Sequence, residues 1–134
     1  MSKTSPMDPA GHIKLAVSDL PKSSAFYREL FSTLGYKQVC DEADSAGWID
    51  SRGFGVWLEP AEIQNHPYTF SSPGLHHLCF KAASPKQVDE LYAFLKQKGT
   101  LIYDPPQAYP EYTKDYYAVF FGDPDGIKLE VAFY

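Results

Sequence analysis

The stretch His12-Ile-Lys-Leu-Ala-Val17 alternates in period two and reads as a strand. Ser18-Asp19-Leu20-Pro21 follows, placing cap-type residues just ahead of a proline that suits a first helical turn. Ala25, Phe26, Leu30, Phe31 and Leu34 then fall at helical spacing, and Gly35 is a helix stop. Three short β-like stretches come next: Tyr36–Cys40, Gly47–Asp50 and Gly55–Leu58. The order is strand, helix, strand, strand, strand.

The same order recurs after a connector rich in proline and glycine. Leu75–Lys81 reads as a strand, and Ser84-Pro85 starts a helix with Val88, Leu91, Tyr92 and Leu95 on one stripe. Gly99 stops that helix, and Leu101–Tyr103, Tyr116–Phe121 and Ile127–Phe133 are strand candidates. Asp123-Pro-Asp-Gly126 is a strong turn between the last two. The halves can be laid over each other: His12-Ile-Lys-Leu answers His77-Leu-Cys-Phe, and Gly55-Val-Trp-Leu-Glu59 answers Gly126-Ile-Lys-Leu-Glu130. A longer loop, Asp104–Asp115, absorbs the extra length of the second copy. The expected fold is α+β, built from two βαβββ modules. A flexible N-terminal arm spans 1–10, the first module 11–60, a connector 61–73 and the second module 74–134.

Composition narrows the function. Twelve Lys and Arg against 17 Asp and Glu give a net charge of -5, and only Arg28 and Arg52 are arginines. Nucleic-acid binders carry a basic patch, so that class is set aside. No apolar run approaches the roughly 18 residues of a membrane span, and residues 1–10 lack the apolar core of a signal peptide. Cys40 and Cys79 do not make a disulfide framework and read as reduced thiols of a cytoplasmic protein.

Each half begins with a histidine on its first strand and ends with a glutamate on its last. Strand parity puts His12, Lys14 and Ala16 on one face and Ile13, Leu15 and Val17 on the other. His77 likewise opposes Leu78 and Phe80, Glu130 and Lys128 oppose Leu129 and Val131, and Glu59 and Trp57 oppose Val56 and Leu58. In every case the His or Glu lies off the aliphatic face. His12, Glu59, His77 and Glu130 would suit one divalent ion: zinc, nickel or cobalt first, iron or manganese also. His76 has the opposite parity and His66 sits in the connector, so His77 is the preferred ligand. Lys14, Trp57, Phe120 and Lys128 make up the candidate substrate-binding set, with a lysine meeting an anionic substrate group.

At this point the sequence resembles the vicinal oxygen chelate superfamily, which includes glyoxalase I, bleomycin- and fosfomycin-resistance proteins, extradiol dioxygenases and methylmalonyl-CoA epimerase. The carrying segments are residues 12–20 with Phe26-Tyr27 and Leu34-Gly35, then His77-Leu-Cys-Phe80, then Phe121-Gly-Asp-Pro-Asp-Gly-Ile-Lys-Leu-Glu130. The resemblance implies an α+β fold of two βαβββ modules forming a curved mixed sheet around a metal-binding cleft, a small-molecule substrate and frequent homodimers. Bacterial glyoxalase I is similar in its His, Glu, His, Glu order. That implies metal-assisted proton transfer next to a carbonyl, with Glu130, or Glu59, as the catalytic carboxylate. Where glyoxalase I has a glutathione-holding arginine this chain has Ala16, so glutathione recognition does not carry over. The alternatives are a three-ligand extradiol dioxygenase or fosfomycin-resistance protein, using His12, His77 and Glu130, and a metal-free binder of aromatic antibiotics. The tyrosines of the 103–117 segment would suit the last.

Overall fold

The computed structural model describes residues 6–134. The chain divides into two compact units, Met1–His66 and Pro67–Tyr134. Residues 1–5 of the expected N-terminal arm lie outside the described residues. Its remainder is tied to the turn before the fourth strand: Asp8 N donates to Arg52 O at 3.0 Å, and the Arg52 guanidinium reaches Met7 O at 3.5 Å.

The first unit runs β1 (His12–Val17), α1 (Leu20–Leu34), β2 (Lys37–Glu42), β3 (Ser45–Ile49) and β4 (Gly55–Pro60). Asp19 caps α1 by accepting from Lys22 N at 3.2 Å, and Pro21 occupies the first turn, where its missing N–H costs nothing. Gly35 closes the helix with φ 82°, a left-handed value that a Cβ would strain. The strand order is β1-β4-β3-β2, with β1 parallel to β4 and the rest antiparallel. Leu15, Val17, Val56 and Leu58 leave one face of this sheet and pack with Tyr27, Leu30 and Phe31 of α1. Trp48 anchors that core at 5.4 Å from the Phe31 ring.

The second unit repeats the plan with β5 (Leu78–Lys81), α2 (Pro85–Gln97), β6 (Ile102–Ala108), β7 (Tyr117–Gly122) and β8 (Lys128–Phe133), ordered β5-β8-β7-β6. Ser84 Oγ accepts from Gln87 N while Gln87 Oε1 accepts from Ala83 N, so reciprocal capping starts α2. Asp123 Oδ1 accepts from the amides of Asp125 and Ile127 and, with Gly126 at φ 80°, fixes the β7–β8 turn. Val88, Leu91 and Leu95 of α2 pack against the Leu129 and Val131 face.

Each module thus builds its own four-stranded mixed sheet with one helix on its aliphatic face. Two strand boundaries differ from the sequence reading by three residues or more. β5 begins at Leu78 rather than Leu75, so His76 and His77 precede the strand and alternation does not govern them. β6 runs on to Ala108 through Pro105 and Pro106, which the 104–115 loop was expected to hold. Prolines are tolerated there because β6 is an edge strand whose register slips between Ile102 and Asp104 and again between Asp104 and Gln107. Among the described residues no helix is long and apolar enough to cross a membrane.

Candidate active site

In the second unit, the face of the sheet opposite α2 carries Glu130 from β8. It sits across from Cys79 on β5 and from Phe120 on β7. Ala118, Phe120 and Ala132 form a small apolar cluster beside it, covered by Tyr103, Tyr109 and Tyr116. The chain after β6 folds back to make that cover: Tyr109 N donates to Tyr116 O at 2.9 Å and Tyr112 N to Tyr109 O at 3.0 Å. Glu130 is left 2% exposed, and a carboxylate so buried requires partners. It has them. His77 Nε2 lies 3.0 Å from Oε1, and the Tyr116 hydroxyl donates to Oε2 at 2.5 Å. Charge-assisted bonds of this kind are short and strong.

His77 is itself oriented, because its Nδ1 faces Nδ1 of His76 at 2.7 Å. One proton lies between these two nitrogens. With Nε2–H turned to Glu130, Nδ1 of His77 accepts from His76. With Nε2 given to another acceptor of its lone pair, Nδ1–H donates to His76. The neighbours also set proton affinities. Burial, then the bond to Glu130, pushes the Tyr116 phenol well above its ordinary value. Burial, then the adjacent Glu130 charge, pushes the Cys79 thiol up to about 12. Cys79 is therefore a protonated thiol at neutral pH rather than a thiolate. His76, His77, Tyr116 and Glu130 open into a cleft of about 410 Å³, which Asp104, Tyr109, Tyr112, Phe120 and Lys128 also line.

The first unit arranges its candidates differently. His12 lies opposite Gly55, whereas Glu59 lies opposite Ala16, four residues further along the sheet. At about 3.3 Å per residue that is on the order of 13 Å, too far for two donors of one ion. Glu59 instead pairs with Lys14 at 2.8 Å. The position two residues beyond the partner of His12 is taken by Trp57, which lies opposite Lys14 and Gly47. A Cβ on Gly47 would overlap the Trp57 ring, and one on Gly55 would come 3.0 Å from its Nε1 and 3.3 Å from the His12 Cβ. The indole therefore lies flat across two glycines, next to His12. The repeat drawn from the sequence is out of phase by two residues at this strand, because Glu130 faces the residue two past His77 while Glu59 faces the residue four past His12.

The structure thus brings together His77, Glu130, Phe120 and Lys128, and separates Glu59 from His12. Sequence reasoning missed His76 and Tyr116. Parity pointed His76 away from the site, and Tyr116 was one tyrosine among several, with no spacing rule tying it to Glu130.

Two donors 3.0 Å apart match neighbouring ligands on a divalent ion with bonds of about 2.0–2.2 Å. Nitrogen and carboxylate oxygen donors suit zinc, nickel, cobalt, iron and manganese alike, and His76 behind His77 is the kind of outer partner that orients a ligating imidazole. His77 and Glu130 accordingly fit a metal, although among the described residues no three His, Cys, Asp or Glu side chains stand together as a ligand group.

Residues 10–131 match the sequence pattern of the Glyoxalase/Bleomycin resistance protein/Dioxygenase superfamily. The chain is 37% identical over 123 residues to the protein YqjT of Bacillus subtilis, covering 90% of this chain and 94% of that one. It is 30% identical over 119 residues to the metallothiol transferase FosB of Lysinibacillus sphaericus, covering 89% and 77% respectively. A solved structure from Bacillus halodurans superposes with a TM-score of 0.82 at 28% identity, covering 94% of this chain and 96% of that one.

Proposed function

The chain belongs to the Glyoxalase/Bleomycin resistance protein/Dioxygenase superfamily, and from that premise we propose that it is a metal-dependent enzyme that moves a proton next to a carbonyl on a small oxygen-bearing substrate. The observation that carries this reading is a carboxylate, 2% exposed, whose Oε1 lies 3.0 Å from an imidazole nitrogen at the base of an aromatic cleft. His77 and Glu130 would hold the ion, and His12 is the sequence's candidate for a further ligand. A divalent ion bound there supplies Lewis acidity toward substrate oxygens. The remaining work falls to the chain. Glu130 takes and returns the proton at its carboxylate oxygen, and Tyr116 holds the other oxygen in place. His76 sets the ring of His77. Tyr109 and Phe120 exclude water from the floor of the cleft. The free thiols Cys40 and Cys79 suit a reducing compartment, so the cytoplasm is the proposed location; a homodimer, which membership of the superfamily suggests, is the proposed assembly.

One observation favours a second reading. Glu59 is engaged by Lys14 and out of phase with His12, which takes one carboxylate out of the expected four-ligand set. Together with the likeness to a metallothiol transferase, that supports transfer of a thiol to a small electrophile.

Elemental analysis of untagged protein, purified without chelator and offered zinc, nickel, cobalt and iron, tests the shared premise. About one ion per chain is expected in the wild type, with loss in His77→Ala and Glu130→Ala. Absence of metal from the wild type, or full retention in His77→Ala, overturns it. Deuterium uptake at the carbon next to a substrate carbonyl separates proton transfer from thiol transfer, which instead consumes a thiol and leaves that carbon unlabelled.

A further inference from the structure

The substrate's charge can be read from the two lysines on the non-aliphatic faces. Lys14 has a protein counter-charge, Glu59 at 2.8 Å. Lys128 is held differently. Its Nζ lies 4.4 Å from the centre of the Phe70 ring, 5.1 Å from Phe120 and 5.7 Å from Tyr103. Among the described residues it makes none of the ion pairs found within 4.0 Å. The cage is braced: Tyr103 donates from its hydroxyl to Gly126 O at 2.7 Å, and Phe70 stands edge-on to Tyr103 at 5.5 Å. Aromatic faces attract an ammonium group but leave its charge uncancelled. They also displace water from it, which strengthens any later pairing.

Lys128 opens into the same cleft as His77 and Glu130. It lies two residues before Glu130 on β8 and on the same face, so the two stems stand about 7 Å apart. Phe120 joins the two ends, with its ring beneath Lys128 and 5.7 Å from the ring of His77. The cleft's two carboxylates do not cancel Lys128. Glu130 is taken by His77 and Tyr116, and Asp104 makes no ion pair with the ammonium.

We propose that Lys128 is the anion-recognising residue of this site, and that the substrate carries an oxyanion at one end, a flat unsaturated middle lying on Phe120, and its reacting carbon at the His77–Glu130 end. This rests on the proposed function for the identity of the reacting end but not for the anion site, which binding alone can read.

Equilibrium binding tests it, with phenylpyruvate and phenylphosphonate as anionic probes and methyl phenylpyruvate as the neutral control. Each is titrated into the protein as purified and again after chelator treatment. Phenylpyruvate is expected to bind about tenfold or more tightly than its ester in both preparations. Lys128→Met is expected to remove that preference, Lys128→Arg to keep it, and Lys86→Met, on the exposed face of α2, to leave it unchanged. Tighter binding of phenylphosphonate than phenylpyruvate would name a phosphonate or phosphate rather than a carboxylate as the anion, within the same proposal. An ester that binds as well as the acid, acid binding too weak to measure, or a Lys128→Met protein that keeps the preference overturns it. Loss of the preference on chelation alone also overturns it, since the anion would then be reading the metal. A protein that holds no metal as purified, and still prefers the acid through Lys128, would overturn the metal reading and leave this one standing.

Discussion

Replacing Tyr116 by phenylalanine removes one oxygen atom and nothing else from the ring stack over Glu130. That hydroxyl is the donor to Glu130 Oε2 at 2.5 Å. The rings of Tyr109, Tyr112 and Tyr134 lie 6.1, 5.2 and 4.8 Å from the Tyr116 ring, and a phenylalanine keeps those ring contacts. A hydrogen bond to a buried charged group is worth about 1.5–3 kcal/mol, and the carboxylate retains His77 on its other oxygen. The expected loss is therefore about 2 kcal/mol at neutral pH. With a urea slope of roughly 1.5 kcal/mol per molar, the unfolding midpoint falls by about 1.3 M. The same change made in a Glu130→Gln background meets no carboxylate charge and is expected to cost about 1 kcal/mol, which leaves a coupling of about 1 kcal/mol in the double-mutant cycle. Chemical denaturation of the four proteins, followed by circular dichroism, gives both numbers. An unchanged midpoint in Tyr116→Phe, or a coupling of zero, would show that the hydroxyl does not hold the carboxylate.

Alkaline pH should unfold the protein for a definable reason. Burial and then Glu130 raise both the Cys79 thiol, to about 12, and the Tyr116 phenol. The folded state therefore keeps protons that the unfolded chain gives up, so stability is full below about pH 9 and falls as pH rises from there to about 12. In Cys79→Ala the onset should move up to about pH 10, where the unfolded tyrosine ionises, and a midpoint flat to pH 11 in the wild type would contradict the assignment. At pH 8, Cys79 should also carry about 10³-fold less thiolate than an unperturbed thiol and resist alkylation accordingly, which mass spectrometry after timed iodoacetamide reads directly. Gly47→Ala is expected to cost about 1–3 kcal/mol because its Cβ meets the Trp57 ring, with most of the loss recovered by adding Trp57→Leu; a tolerated single substitution would mean that the indole does not lie across the glycine.

Much of the fold was legible because it is encoded locally. Asp19-Leu20-Pro21 and Ser84-Pro85-Lys86-Gln87 announce helix starts through side chains that cap the first free amides. Asp123-Pro-Asp-Gly126 announces its turn through one carboxylate and one left-handed glycine. Alternation in β1 and β8 separates aliphatic from polar faces, and the buried residues Leu15, Val17, Leu129 and Val131 lie where it puts them. The β6 extension was not legible, since two consecutive prolines argue against a strand unless it is known to be an edge.

The candidate site divides along a similar line. The sequence by itself determined that this is a duplicated βαβββ chain with a glutamate, Glu130, off the aliphatic face and a histidine, His77, at matching places of its second copy. Period and turn chemistry need only neighbours along the chain. Only the tertiary structure decided strand register, and register decides which side chains meet. It put Glu59 opposite Ala16 and beside Lys14 rather than near His12. It also brought Tyr116 back onto Glu130 across 14 residues of sequence and left Lys128 among three rings with, among the described residues, no carboxylate paired to it. A shift of two residues preserves every alternation a sequence can display while moving a side chain by nearly 7 Å, so parity can name the face on which a residue stands but not the partner it finds there.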